Sequence, residues 1–378
     1  MSLHRSILLI DYISQVTPTD QLPMDDLKPV LLGLFGEVGS IMATAKKFHR
    51  EKEAFVGYRR AVEEEFGDAL WYFTALCRRL TVPMEEILAS AASEYTSAIA
   101  ANDLIDSPIS HVATPLAAPD LDPALLQLGE AVSALFAICG TQADSRSGLI
   151  AFADRYLRAL NAARVSFAEV VRMNLAKTVG RFLDPDFQTL PDFDSDFPDE
   201  EQLPRRFEIV IDQRASGRSY LRMNGVFIGD PLTDNILDPD GYRFHDVFHF
   251  AHAAILHWSP TFRALIKHKR KSNSKVDEAQ DGGRAVVVEE GLSAWIFARS
   301  KELNYFDGQK RLAFDLLKTV QQFVAGYEVE ACPLRLWEIA ILQGYEVFRQ
   351  IKRNLGGTIV CDRKTRTVEY KALDGGAT

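Results

Sequence analysis

Two groups of residues in this chain have types and spacing that suit chemistry. The first is Glu65-Phe66-Gly67-Asp68. A spacing of three puts both carboxylates on one face of a helix, where like charges cost stability unless a cation sits between them. Glu37 lies one helical segment earlier, beside Gly36 and Gly39, small residues that permit close approach of another helix or a ligand. Carboxylate oxygens from two facing helices suit a hard, octahedral magnesium ion, with manganese as the alternative. An ExxD pair also occurs on solvated acidic faces. Here Ala69-Leu70-Trp71-Tyr72-Phe73 follows at once, so the acids end an apolar helix that must be mostly buried. Glu37, Glu65 and Asp68 are therefore the expected metal ligands.

The second group is rich in histidine. Five of the eight histidines fall between residues 245 and 268. On a helix, His245, His249 and His252 share one face at i, i+4 and i+7, and an i, i+4 histidine pair is a common transition-metal ligand set. Glu289-Glu290 lies in a later helix and could complete a site with His245, Asp246 and His249. The basic run Lys267-His268-Lys269-Arg270-Lys271 between them suits phosphates. The alternative is a helix of buried, hydrogen-bonded histidines beside a solvated basic loop.

These groups need scaffolds. Leu31, Leu34, Phe35, Val38, Ile41 and Met42 recur at helical spacing. A second helix runs from about Tyr58 through Leu80, and a third starts at Met84 after the turn Thr81-Val82-Pro83. Residues 101–122 have a linker composition, with Ser107-Pro108, Pro115 and Ala118-Pro119. Helical periodicity resumes from Pro123 to Phe182. Leu32 to Ser40 is echoed by Leu126 to Ser133, and Val82 to Ile87 by Val165 to Val170, which suggests a duplicated unit over 1–100 and 123–183. The alternative is that any two amphipathic hairpins look alike. The acidic, proline-bearing stretch 184–206 reads as a second linker. Beyond it, Phe207–Ile211 and Ser219–Met223 alternate with period two, and Thr358–Val360 with Thr367–Tyr370 reads as a hairpin. The expected architecture is mainly α: a tandem helical module, then an α+β, mostly helical domain over 207–378.

Leu32-Gly33-Leu34-Phe35-Gly36-Glu37-Val38-Gly39-Ser40, Glu64-Glu65-Phe66-Gly67-Asp68-Ala69-Leu70-Trp71-Tyr72 and Val82-Pro83-Met84-Glu85-Glu86-Ile87 together resemble a MazG-type nucleotide pyrophosphohydrolase. The similarity spans roughly residues 7–100 and, more faintly, 123–182. It implies an all-helical fold and magnesium-dependent hydrolysis of (d)NTPs to the monophosphate and pyrophosphate. The family signature is an ExxE on one helix and an ExxD on the next; Glu37 fits the first acid, Glu65 and Asp68 the second pair. Ser40 stands where the family has its second glutamate, which weakens one metal position.

In the second copy, Gly148 and Ala151 stand opposite Glu65 and Asp68, and only Glu130 remains of the acids. That copy carries Asn174, Lys177 and Arg181, which match a helix where the family contacts nucleotide. One copy would then supply metal ligands and the other phosphate-binding cations; the alternative is a solvated helix end. Lys46 and Lys47 are weaker candidates for phosphate. Trp71 and Tyr72 could stack a base, or belong to the core.

The reading is a magnesium-dependent nucleoside triphosphate pyrophosphohydrolase. Its rivals are a non-catalytic nucleotide sensor with the C-terminal domain as effector, and a metal-dependent phosphohydrolase or nuclease centred on the histidines, with a second metal there. The net charge of −9 argues against non-specific nucleic-acid binding. No apolar run approaches the ~20 residues of a membrane span. Four scattered cysteines point to a reduced, cytoplasmic setting. A homodimer is compatible with the sequence.

Overall fold

The computed structural model describes residues 9–92, 120–139, 145–234 and 236–373. Most of the expected linker 101–122 lies outside these residues. The chain divides into two compact units, Met1–Leu183 and Asp184–Thr378. It is mainly helical, with one small antiparallel sheet. Among the described residues, no helix is long and apolar enough to cross a membrane.

The described part of the first unit is helical: α1 (Leu9–Val16), α2 (Lys28–Glu51), α3 (Tyr58–Arg79), α4 (Met84–Ala92), α5 (Leu121–Ala134), α6 (Ser145–Ala162) and α7 (Phe167–Phe182). Pro29 sits in the first turn of α2, where its missing N–H costs no helical hydrogen bond. His49 and Arg50 lie in the last turn, where positive charge complements the helix dipole. The periodic residues Leu31, Leu34, Val38 and Ile41 are buried against Phe66, Leu70 and Phe73 of α3. The two halves pack reciprocally. Within them α2 meets α3 and α5 meets α6; across them α2 meets α5, α3 meets α7 and α4 meets α6. The α3–α7 contact is close because residue 67 is glycine: a Cβ there would lie 2.9 Å from Asn174 Cβ.

The second unit holds β1 (Arg206–Gln213), β2 (Ser219–Met223), β3 (Val226–Leu232), α8 (Asp246–Ala251), α9 (Pro260–Ile266), α10 (Ser274–Ala279), α11 (Gly283–Lys301), α12 (Phe314–Phe323), α13 (Leu334–Asn354), β4 (Gly356–Asp362) and β5 (Thr367–Lys371). The strand order is β3-β2-β1-β4-β5, so the C-terminal hairpin joins the early strands through β1. Phe207, Ile209 and Ile211 alternate inward, and α13 packs against β4 and β5. Strand β3, with its exposed Val226 and Phe227, carries no alternating burial and was not expected from the sequence.

The acidic stretch 184–206 differs from the expected linker. Asp194 is buried, pairs with Arg263 at 2.5 Å and Arg363 at 2.8 Å, and accepts from the Leu203 N–H at 2.7 Å. Leu203 enters the core of the second unit. The charges that suggested a solvated linker are instead neutralised by arginines distant in sequence.

Candidate metal centres

In the first unit, Glu37 projects from α2, and Glu65 and Asp68 from α3, because the apolar stripes of both helices face each other. One ligand atom from each lies within 4.8 Å of the others, and all three side chains are half-buried. Burial, then the charges of Asp68 and Glu65, push the Glu37 carboxyl up to about 7, against the opposing pull of Lys177.

The second half of the unit contributes directly. From α7, Lys177 Nζ lies 2.5 Å from Asp68 Oδ2 and 2.9 Å from Glu64 Oε1. Burial alone would lower the Lys177 pKa, but Asp68 and Glu64 outweigh it and raise it. Asn174 Nδ2 donates to Asp68 Oδ1 at 3.3 Å, while its Oδ1 accepts from the Tyr12 hydroxyl at 2.9 Å. Tyr12 and Glu64 thus complete the site. Tyr12 carried no signal in the sequence, since an aromatic on an apolar helix reads as core.

Other expected residues lie elsewhere. Lys46 and Lys47 are exposed, nine and ten residues beyond Glu37 on α2, a rise of about 13–15 Å. Lys47 pairs with Glu51 and lies 4.2 Å over the Phe55 ring. The structure does not bring this pair to the acids. Trp71 packs with the core, its indole N–H donating to Thr19 Oγ1 at 2.8 Å. Tyr72 lies closer to the acids: burial, then the charges of Glu37 and Asp68, raise its pKa. Its ring rests on α2, where a Cβ on Gly33 would come within 2.1 Å. Arg181 is buried on α7, 5.6 Å over the Phe182 ring. Gly36 and Gly39 border open space rather than a close-packed helix, so of the two expected neighbours, a helix or a ligand, no helix is there. Ser40 is half-buried on α2.

In the second unit, α8 and α11 bring the histidines and the paired glutamates together. Glu289 is fully buried. Its Oε1 accepts from His252 Nδ1 at 2.9 Å and lies 3.1 Å from His249 Nδ1. Its Oε2 accepts from Ser259 Oγ at 3.0 Å and from the Thr261 N–H at 2.9 Å. Burial would raise the Glu289 pKa, but His249 and His252 outweigh it and hold it at about 2. Continuation of α8 as a π turn over His252–Leu256 carries the chain into this network. Glu290, on the adjacent helix face, lies 3.2 Å from His249 Nε2 and 3.4 Å from His245 Nε2. Asp246 is buried, and burial raises its pKa against the opposing pull of His245 and His249.

The basic run contributes less than expected. Arg270 is turned inward, held by Asp281 at 2.7 Å and Glu328 at 2.6 Å. It braces the fold rather than facing a phosphate.

Fold and clusters define a mainly helical protein with an acidic centre in one unit and a histidine–carboxylate centre in the other. Residues 188–374 match the family described as the MazG C-terminal domain. This match covers the histidine-bearing unit and not the acidic one. No curated protein and no solved structure matches the chain.

Proposed function

We propose that the first unit is a magnesium-dependent nucleoside triphosphate pyrophosphohydrolase, converting a (d)NTP and water to the (d)NMP and pyrophosphate. One observation carries the reading: carboxylates from two helices converge to within 4.8 Å at Glu37, Glu65 and Asp68. The donor set fits a hard divalent cation, being all oxygen, half-buried and drawn from two facing helices. When bound, magnesium would neutralise triphosphate oxygens and polarise the α-phosphorus.

The chain's own groups divide the remaining work. Glu37 is the candidate to accept a proton from an attacking water; its carboxyl, raised to about 7 by burial and by Asp68 and Glu65, would fall once magnesium compensates those charges. Lys177 keeps a positive charge beside Asp68 and Glu64, within a side chain's reach of a phosphate oxygen. Asn174, anchored by Tyr12, orients Asp68. Reciprocal packing of the two halves supports a duplicated unit in which one copy keeps the acids and the other supplies Lys177 and Asn174.

A second reading rests on Ser40. With one family acid lost and Lys177 already seated on Asp68, the site would bind nucleotide without turnover. Pyrophosphate release from a (d)NTP panel with magnesium separates the two. Release that falls by about 10²–10⁴-fold in Glu37→Gln, the range for a lost general base, supports catalysis. Nucleotide binding with no release at high protein concentration would sink it.

A further inference from the structure

We propose that His245, Asp246, His249 and Glu290 form a metal centre in the second unit, selective for a borderline divalent transition cation of the zinc, manganese and cobalt class. The proposal does not depend on the acidic site.

The first argument is the tautomer of His245. Its Nδ1 lies 2.9 Å from the Tyr242 carbonyl, which can only accept, so Nδ1 carries a proton. Its Nε2 is the nitrogen left to face the cluster, 3.4 Å from a carboxylate oxygen of Glu290. Anchoring of the distal ring nitrogen to a carbonyl is also how metal-bound histidines are commonly oriented.

The second argument is His249. It is fully buried, with Nδ1 3.1 Å from Glu289 and Nε2 3.2 Å from Glu290. Neither contact meets the geometry of a hydrogen bond. A buried imidazole without one is costly. Asp246 adds an independent observation. It is only 6% exposed, has no hydrogen-bond or ion-pair partner among the described residues, and puts an oxygen within 4.8 Å of ring nitrogens of both His245 and His249.

Glu289 is a positioning residue here and not a ligand. Its two oxygens already accept three hydrogen bonds, from His252, Ser259 and the Thr261 N–H, which leaves little acceptor capacity for a cation. The ligands are thus two imidazoles and two carboxylates, a mixed set that favours transition cations over magnesium or calcium. Side-chain exposure of 37% at Glu290 and 13% at His245 gives the ion a route to solvent.

The test uses the full chain carrying Glu37→Gln, Glu65→Gln and Asp68→Asn, so that the acidic site is silent. After chelator treatment it is titrated with cobalt(II) alone and followed by visible absorption. One equivalent should bind with the d–d bands of a nitrogen–oxygen site and resist a large excess of magnesium. Adding His245→Gln or Glu290→Gln should abolish the bands; both residues are partly exposed, so the fold, checked by circular dichroism, should persist. Glu289→Gln should weaken binding about 10–100-fold, the usual effect of altering a ligand's orienting partner. Absence of binding in the acid-silenced chain, or binding unchanged by both His245→Gln and Glu290→Gln, would overturn the proposal. Should one of these variants fail to fold, the other decides. Either result leaves pyrophosphate release by the unaltered chain as a separate question.

Discussion

The two clusters use carboxylates in opposite ways. In the first unit, Glu37, Glu65 and Asp68 are half-buried and crowd one another, with Lys177 reaching Asp68 from α7. In the second, Glu289 is sealed in the core and accepts from a histidine, a hydroxyl and a backbone N–H drawn from separate segments. One cluster spends stability to keep acids close together; the other uses an acid to hold the fold together. Removing the Glu37 charge should therefore help the first, and removing that of Glu289 should harm the second.

That contrast is open to direct attack. The largest stability effect is expected for Glu289→Ala, which strands His249, His252, Ser259 and the Thr261 N–H in the interior. Breaking a buried charged pair costs about 3–5 kcal/mol. Chemical denaturation followed on a tryptophan of the second unit, such as the buried Trp258 or Trp337, reads this loss. Glu37→Gln, measured likewise on the first unit above about pH 7, should leave stability unchanged or raised, because burial and the neighbouring acids oppose the Glu37 charge. A Glu289→Ala cost as small as that of a surface substitution, within about 0.5 kcal/mol, would break the comparison.

A smaller effect tests how the acidic site is held. Gly67 lies between Glu65's neighbour Phe66 and Asp68, and a Cβ there would meet Asn174 Cβ at 2.9 Å and the Val170 carbonyl at 3.4 Å. Gly67→Ala should cost about 1–3 kcal/mol by overpacking, even though alanine favours helices. It should also push Asn174 off Asp68, so magnesium binding should weaken with it. A stabilised Gly67→Ala variant with magnesium binding intact would show that α3 and α7 are not tightly apposed.

Much of this was legible in the sequence where a pattern was local. Helical spacing exposed α2 and α3, and the three-residue step placed Glu65 and Asp68 on one face. The sheet's early strands and its closing hairpin announced themselves by alternation, yet their union through β1 and β4 did not, because pairing across some 150 residues leaves no local trace. Asp194 read as solvated for the same reason: its partners Arg263 and Arg363 are far along the chain. Lys177 and Asn174 were visible as candidates, whereas Tyr12 was not, since its role arises only when α1 packs on α7. Glu289 and Glu290 looked equivalent side by side. Their divergence follows from about 100° of helical rotation between neighbours, which sends one into the core and the other toward solvent.

The smallest effect concerns pH, and its sign follows from Glu37. Its carboxyl is raised from the ordinary 4.5 to about 7, so the folded protein holds that proton more tightly than the unfolded chain. The associated stability is fully present below about 4.5 and is lost as pH rises through about 7. The unfolding midpoint of the first unit should accordingly fall across that window, and Glu37→Gln should flatten the dependence because its amide never ionises. Magnesium should flatten it too, by compensating the charge that ionisation creates, and should release protons on binding at the acidic end of the window. Calorimetric titration in buffers of different ionisation enthalpy detects those protons. Magnesium binding without proton release below about pH 7, or an unchanged pH profile in Glu37→Gln, would show that the three acids are not coupled and that their nearness is that of an ordinary acidic helix face.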